Sequence, residues 1–316
     1  MKPFRRYVAI AIDGGGMRGL MVTHALAMLE QALGFPCRDI FQLTTGTSTG
    51  SIIAAGIAVG IPADKMTALY MTLGETIFTT TWRKLLFPLT RYRYSDKPLA
   101  AALHSHFGNS IMGDFWTDAR KVDVVITAYD LAENKTRFIK PWKAQYALWP
   151  VQKAVQASCS VPTIFPPVDS RYIDGGVGSY ANPCYVAAYE AVECLGWNPH
   201  ETTLISIGTG RNPYTYDSNH LPKLCAWDWI GRTIDVFSQS AADQQVHLVR
   251  QFYPALDFRR FQVDLHAPIA MDNTRQTKAL LAYGTQLGRM ILNNQVDPSQ
   301  GIIIKQAPTR QETMYG

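Results

Sequence analysis

Twice within the first sixty residues a short β-branched apolar run ends in a glycine-bearing turn that leads straight into a helical pattern. Arg6 to Ile12 runs into Asp13-Gly14-Gly15-Gly16, after which Met21, Ala25, Met28, Leu29 and Ala32 recur at helical spacing from Met17 to Leu33. Ile40 to Thr45 runs into Gly46-Thr47-Ser48-Thr49-Gly50 and the small-residue helix Thr49 to Val59. Two strand–turn–helix units in succession call for a crossover that lays the second strand parallel to the first. That confines the chain to an α/β fold, a mainly parallel central sheet with helices on both faces.

The alternation continues to the C-terminal end. Helices are expected from Pro62-Ala63-Asp64, from Ser95-Asp96-Lys97-Pro98, over Val151 to Ser158, and after Pro183 to about Leu195. Strands are expected at Val122 to Asp130, Arg137 to Lys140, Tyr172-Ile173, Thr203 to Ile207 and Phe261 to Leu265. Trp227, Ile230, Ile234, Phe237, Ala241, Leu248 and Phe252 mark a long amphipathic helix, and a last helix covers Asn273 to Asn293. No composition break separates the halves, so residues 1–316 are expected to form one domain.

Composition narrows the function classes. With 47% hydrophobic and 17% charged residues the chain can bury a core, and disorder as the dominant state is excluded. The apolar stretch Ser51 to Ala63 falls short of the roughly 18–20 residues that span a bilayer. Lys2, Arg5 and Arg6 precede an apolar run, but Asp13 stops it after about five residues, below the core of a secretory signal. A cytoplasmic protein is expected. Five cysteines without a C-x-x-C pair argue against a disulfide framework or a structural zinc site. The net charge of +5 suits an anionic surface but is too small to predict DNA or RNA as a partner.

Three segments can carry chemistry. Asp13-Gly14-Gly15-Gly16-Met17-Arg18-Gly19 crowds backbone N–H groups at a helix start, a nest for a phosphate or a transient oxyanion. Its G-x-G-x-x-G spacing also fits dinucleotide binding by Gly14, Gly16 and Gly19, with Asp39 near the distance of a ribose-binding acid. Gly46-Thr47-Ser48-Thr49-Gly50 is a G-x-S-x-G turn, the geometry of a serine nucleophile. Ser48 sits on only the second strand, and His200, His220, His247 and His266 lie in no recognisable loop motif, which disfavours a histidine triad. Asp174-Gly175-Gly176 is a turn whose carboxylate could deprotonate a serine directly, more effectively if burial raises its pKa.

Together these motifs, with Ala157-Ser158-Cys159-Ser160-Val161-Pro162 before the third, resemble the patatin-like phospholipase family from about Val8 to about Ala191. The resemblance implies a three-layer α/β/α patatin-like fold and a Ser48–Asp174 dyad without histidine. It implies an oxyanion hole from the amides of Gly14, Gly15 and Gly16, with Arg18 fixing the loop, and no cofactor or metal. Asp13, Gly19, Gly46, Gly50, Gly175 and Gly176 support the motifs. The expected substrate is membrane glycerophospholipid. The family's D-G-A variant stands here as D-G-G. The layout is similar to bacterial stand-alone members, including the cyclic-nucleotide-activated phospholipases of antiphage operons. That narrower likeness implies a cyclic di- or oligonucleotide activator, leaves room for a homo-oligomer, and makes residues 192–316 a candidate regulatory region. A constitutive lysophospholipase or esterase, a nucleotide-binding oxidoreductase and a catalytically silent membrane-binding module are the alternatives. Phe78 to Lys97 interleaves aromatic and basic residues, among them Trp82, Arg83, Arg91 and Arg93, and is the candidate for peripheral approach to the membrane.

Overall fold

The computed structural model describes residues 1–78, 86–87, 89–117, 122–213 and 226–298, with only the backbone course at 75 and 226–235. The expected strand–turn–helix pair is present. β1 (Tyr7–Ile12) leads through a tight helical turn into α1 (Gly19–Leu33), and β2 (Leu43–Gly46) leads directly into α2 (Thr49–Val59). α3 (Ala63–Ile77) and α4 (Lys97–Phe107) follow, then the hairpin β3 (Asp123–Asp130) and β4 (Lys135–Ile139). Beyond lie α5 (Val151–Cys159), β5 (Tyr172–Asp174), α6 (Cys184–Tyr189), β6 (Thr202–Ile207), α7 (Ala226–Phe252), β7 (Asp257–Phe261) and α8 (Thr277–Leu292).

One sheet runs in the order β4-β3-β2-β1-β6-β7, parallel except for β4, and β5 pairs antiparallel with β3. Alternation along β1 divides the core. Val8, Ile10 and Ile12 pack with α1 to α5 and α8 on one face; Ala9 and Ala11 pack with α6 and α7 on the other. The structure is therefore three-layer α/β/α. Glu30 at the end of α1 ties two following segments, accepting from the N–H groups of Cys37 and Ala63 at 2.7 and 2.9 Å. No helix among the described residues is long and apolar enough to cross a membrane.

Three expectations shift. Cys37–Ile40 forms a helical turn, so β2 begins at Leu43 rather than near Ile40. After α6 the chain widens into a π turn over Glu190–Cys194. The last strand covers Asp257–Phe261, ahead of the expected Phe261 to Leu265, because both of its arginines find buried acidic partners. Trp82, Arg83, His220 and Cys225, and the side chains of Trp227, Ile230 and Ile234, lie outside the described residues.

Candidate active site

Topology brings the three motifs to one edge of the sheet. β2 runs up β3 as far as Gly46 opposite Ile126, while β5 runs down the same side to Asp174 opposite Ala128. The two strands meet nearly end to end, and the residues leaving them, Ser48 and Asp174, face a shared cavity. Thr127, between the two register positions, seals the junction: its hydroxyl bonds that of Thr47 at 2.7 Å. A Cβ on Gly175 would collide with it. β1 is parallel to β2 with Ile12 opposite Gly46, so the Gly14–Gly16 loop emerges beside Ser48. This is the carboxyl edge of the parallel strands, where α/β sheets bind ligands.

Ser48 sits on a strained turn, with φ 54° and ψ −126°. A side chain in this region costs energy that the surroundings must supply, which marks functional turns. The surroundings are explicit. Ser48 N–H donates to Ser158 Oγ at 2.8 Å, and its carbonyl accepts from Ser51 N–H and Oγ at 2.8 and 2.6 Å. Gly46 and Gly50 flank it because no Cβ fits at either position: one would strike the Gly50 carbonyl, the other the Ile12 carbonyl.

Asp174 is 3% exposed. Its Oδ1 accepts from Gly176 N–H at 2.7 Å, while Oδ2 is buried without a partner of full hydrogen-bond geometry among the described residues. Burial pushes the carboxyl up to about 7, against the Ser48 hydroxyl and the Gly176 amide, which favour its charge. A buried carboxylate poised near neutrality can take a proton from a neighbouring hydroxyl. Among the described residues, no histidine lines the cavities that reach Ser48.

The glycine loop lies across the cavity from Asp174, and a Cβ built on Gly14 would stand 3.2 Å from that of Ser48. One expectation is corrected here. Gly14 N–H donates to the Ala181 carbonyl at 2.9 Å, so it is not free to meet an oxyanion. The amides of Gly15 and Gly16 donate to no group among the described residues. Gly16 has φ +58°, and a Cβ there would run into Met271. Arg18 is buried and braces the loop from its carbonyl side, with Nε 3.3 Å from Gly15 O and Nη1 3.4 Å from Gly210 O.

Several contributors carry no motif. Arg260, fully buried on β7, forks onto Asp13 at 2.8 and 2.5 Å and anchors the loop's first residue. A buried aspartate at the end of an apolar strand signals that a counter-charge must exist, but not where in the chain. From Ser48 an apolar cleft runs between helices, lined by Ile52, Tyr70, Leu73, Phe78, Leu99 and Phe165. On the other side of the loop a polar cleft is bordered by Arg18, Arg211, Asn212, Gln239 and Asp243. Arg91 is exposed, whereas Arg93 faces Asp272 at 3.7 Å and stacks over Phe87. Asp39 is exposed in the turn before β2, at the opposite end of the strands from the glycine loop. It cannot complete a dinucleotide site there.

A serine beside a buried carboxyl, opening on a greasy cleft, has the chemistry of a serine-type acyl ester hydrolase. Residues 10–188, more than half of the chain, match the model of the patatin-like phospholipase family, and the chain belongs to that family. It is thus an enzyme of the carboxylic ester hydrolase class. The chain is 29% identical over 286 residues to a cGAMP-activated phospholipase of Pseudomonas aeruginosa, covering 87% of this chain and 82% of that one. It is 28% identical over 280 residues to a cGAMP-activated phospholipase of Vibrio cholerae, covering 77% of each. A cUMP-AMP-activated phospholipase of Escherichia coli is 29% identical over 216 residues, 65% of each chain.

Proposed function

We propose that this chain hydrolyses acyl esters of membrane glycerophospholipids with Ser48 as nucleophile and Asp174 as general base. The observation that carries the reading is geometric: the buried Asp174 carboxyl and a serine held at positive φ line one cavity, and burial favours a raised carboxyl pKa there. Asp174 takes the Ser48 proton as Oγ attacks the ester carbonyl. The carbonyl oxygen becomes negative and turns toward the amides of Gly15 and Gly16, where each donor contributes on the order of 3 kcal/mol to the transition state. Asp174, now protonated, delivers its proton to the leaving alkoxide. Water then repeats the sequence on the acyl-enzyme and frees Ser48. The fatty chain occupies the apolar cleft, and the head group faces the polar cleft beyond Arg18.

Labelling with a fluorophosphonate, read by intact mass and peptide mapping, tests this directly. One adduct on Ser48, lost in Ser48→Ala together with liposome hydrolysis, is the expected result; an adduct elsewhere refutes the assignment. Single replacement of each of the seven histidines should leave substantial turnover.

Control by a cyclic di- or oligonucleotide is a second reading, supported by the activators in the names of the relatives. A hundredfold activation needs about 2.7 kcal/mol of differential affinity for the active arrangement. Liposome hydrolysis with and without a panel of cyclic dinucleotides, alongside calorimetry, tests it. High basal activity unchanged by every nucleotide, with no binding heat, points instead to a constitutive lipid esterase and leaves the Ser48 chemistry intact.

A further inference from the structure

β6 runs parallel beside β1 with Ile207 opposite Ile12, so the residues that follow the two strands leave the sheet side by side. Thr209 thereby lies against the glycine loop. It is buried, its Oγ1 donates to the Gly14 carbonyl at 2.5 Å, and a Cβ on Gly15 would collide with its side chain. Gly14 N–H is already held by the Ala181 carbonyl. Both polar groups of Gly14 are therefore anchored. In a trans peptide the carbonyl and the following N–H point in opposite directions. With the Gly14 carbonyl turned to Thr209, the Gly15 N–H is turned away from that carbonyl, and Gly15 lines the cavity that holds Ser48 and Asp174.

We propose that Thr209 is a positioning residue whose hydroxyl fixes the Gly14–Gly15 peptide so that the Gly15 N–H faces the developing oxyanion. The proposal rests on Ser48 as nucleophile. A peptide between two glycines meets little steric resistance to rotation. Without the hydroxyl it can turn over and present the Gly14 carbonyl oxygen, repelling the charge it should stabilise. Thr209 acts only through the loop, since it does not line the Ser48 cavity.

Thr209→Ser and Thr209→Ala remove the same methyl group and differ by one hydroxyl. On a soluble short-chain ester, Thr209→Ser should keep kcat within about threefold. Thr209→Ala should lose at least about tenfold in kcat, part of the hundredfold or more that follows loss of an oxyanion donor. KM should stay within about twofold, and the pH midpoint of kcat/KM should not move, because Asp174 is untouched. Equal kcat in the two variants overturns the proposal, as does a loss that appears in KM. Thermal unfolding is read in parallel. If Thr209→Ala is unfolded at the assay temperature, Thr209→Val, which restores the lost volume, is measured in its place. Failure of both to fold assigns the hydroxyl to stability and overturns the positioning role. Turnover surviving Ser48→Ala overturns the nucleophile assignment and this proposal with it; an inactive Ser48→Ala beside a fully active Thr209→Ala overturns this proposal alone.

Discussion

Replacing Asp174 by asparagine should make the protein more stable and nearly inactive at once, and the two effects should separate along the pH axis. Burial pushes the Asp174 carboxyl up to about 7, against about 3.9 for a solvated aspartate. The folded chain therefore keeps this proton up to about pH 7, while the unfolded chain releases it near pH 4. Between those values the folded state binds more protons, so the contribution of Asp174 makes stability fall as pH rises through the window, then levels off. A shift of about three units corresponds to roughly 4 kcal/mol at most. Asparagine has no charge to desolvate, and its carbonyl can still accept from Gly176 N–H. In urea unfolding, the variant and wild type should be close at about pH 4.5 and differ by several kcal/mol at about pH 8, the variant being more stable. Taking the difference cancels the titration of distant groups. Activity runs the other way. A base must be ionised, so wild-type kcat/KM should rise about tenfold per unit below pH 7 and level above it, while the variant stays low throughout. A stability difference that is flat over this range, or a wild-type profile already level at about pH 5.5, would refute burial as the source of the base's strength.

Arg260→Met leaves Asp13 buried without its counter-charge and should cost about 3–5 kcal/mol of stability; Asp13→Asn in the same chain should recover much of it in a denaturant titration. Leu73→Trp narrows the apolar cleft and should reduce hydrolysis of long-chain esters while sparing short-chain ones, a contrast visible in kcat/KM across a chain-length series. Arg91→Glu should weaken binding to anionic liposomes more than hydrolysis of a soluble ester, and the loss should shrink as salt rises; equal loss on both substrates would place Arg91 in the fold instead. Arg93 is expected to contribute less to that surface, because Asp272 already faces it.

The sequence made β1, β2 and their turns legible because their patterns are local: apolar alternation, then glycine where a Cβ cannot fit. The same logic placed Ser48 and Asp174 at strand ends, and β3 brings those ends together. What stayed hidden depends on contacts between distant residues. Arg259 and Arg260 can sit in a buried strand only because Asp257 and Asp13 neutralise them, which is why β7 precedes the more alternating Phe261, Val263 and Leu265. Nothing local to Asp13-Gly14-Gly15-Gly16 distinguishes which amide is free. Ala181 makes that choice by taking Gly14, and Thr209 lies even farther along the chain. The apolar cleft was likewise illegible, since its walls come from four helices, the turn before α1, the segment after α5 and Met271 ahead of α8.

The supports of the glycine loop reach it late in the life of the chain. Thr209 stands 195 residues from Gly14, and Arg260 stands 247 residues from Asp13. A ribosome adding about 5–20 residues per second needs on the order of ten to fifty seconds to bridge the longer gap. During that interval Ser48 and its turn have been made, but the loop opposite has neither its hydroxyl anchor nor its counter-charge. On the proposed Ser48 chemistry a growing chain is therefore unarmed, and the strand synthesised after most of the sheet is the one that arms it. For a member of the patatin-like phospholipase family with the site proposed above, birth order alone delays competence until both supports have been made.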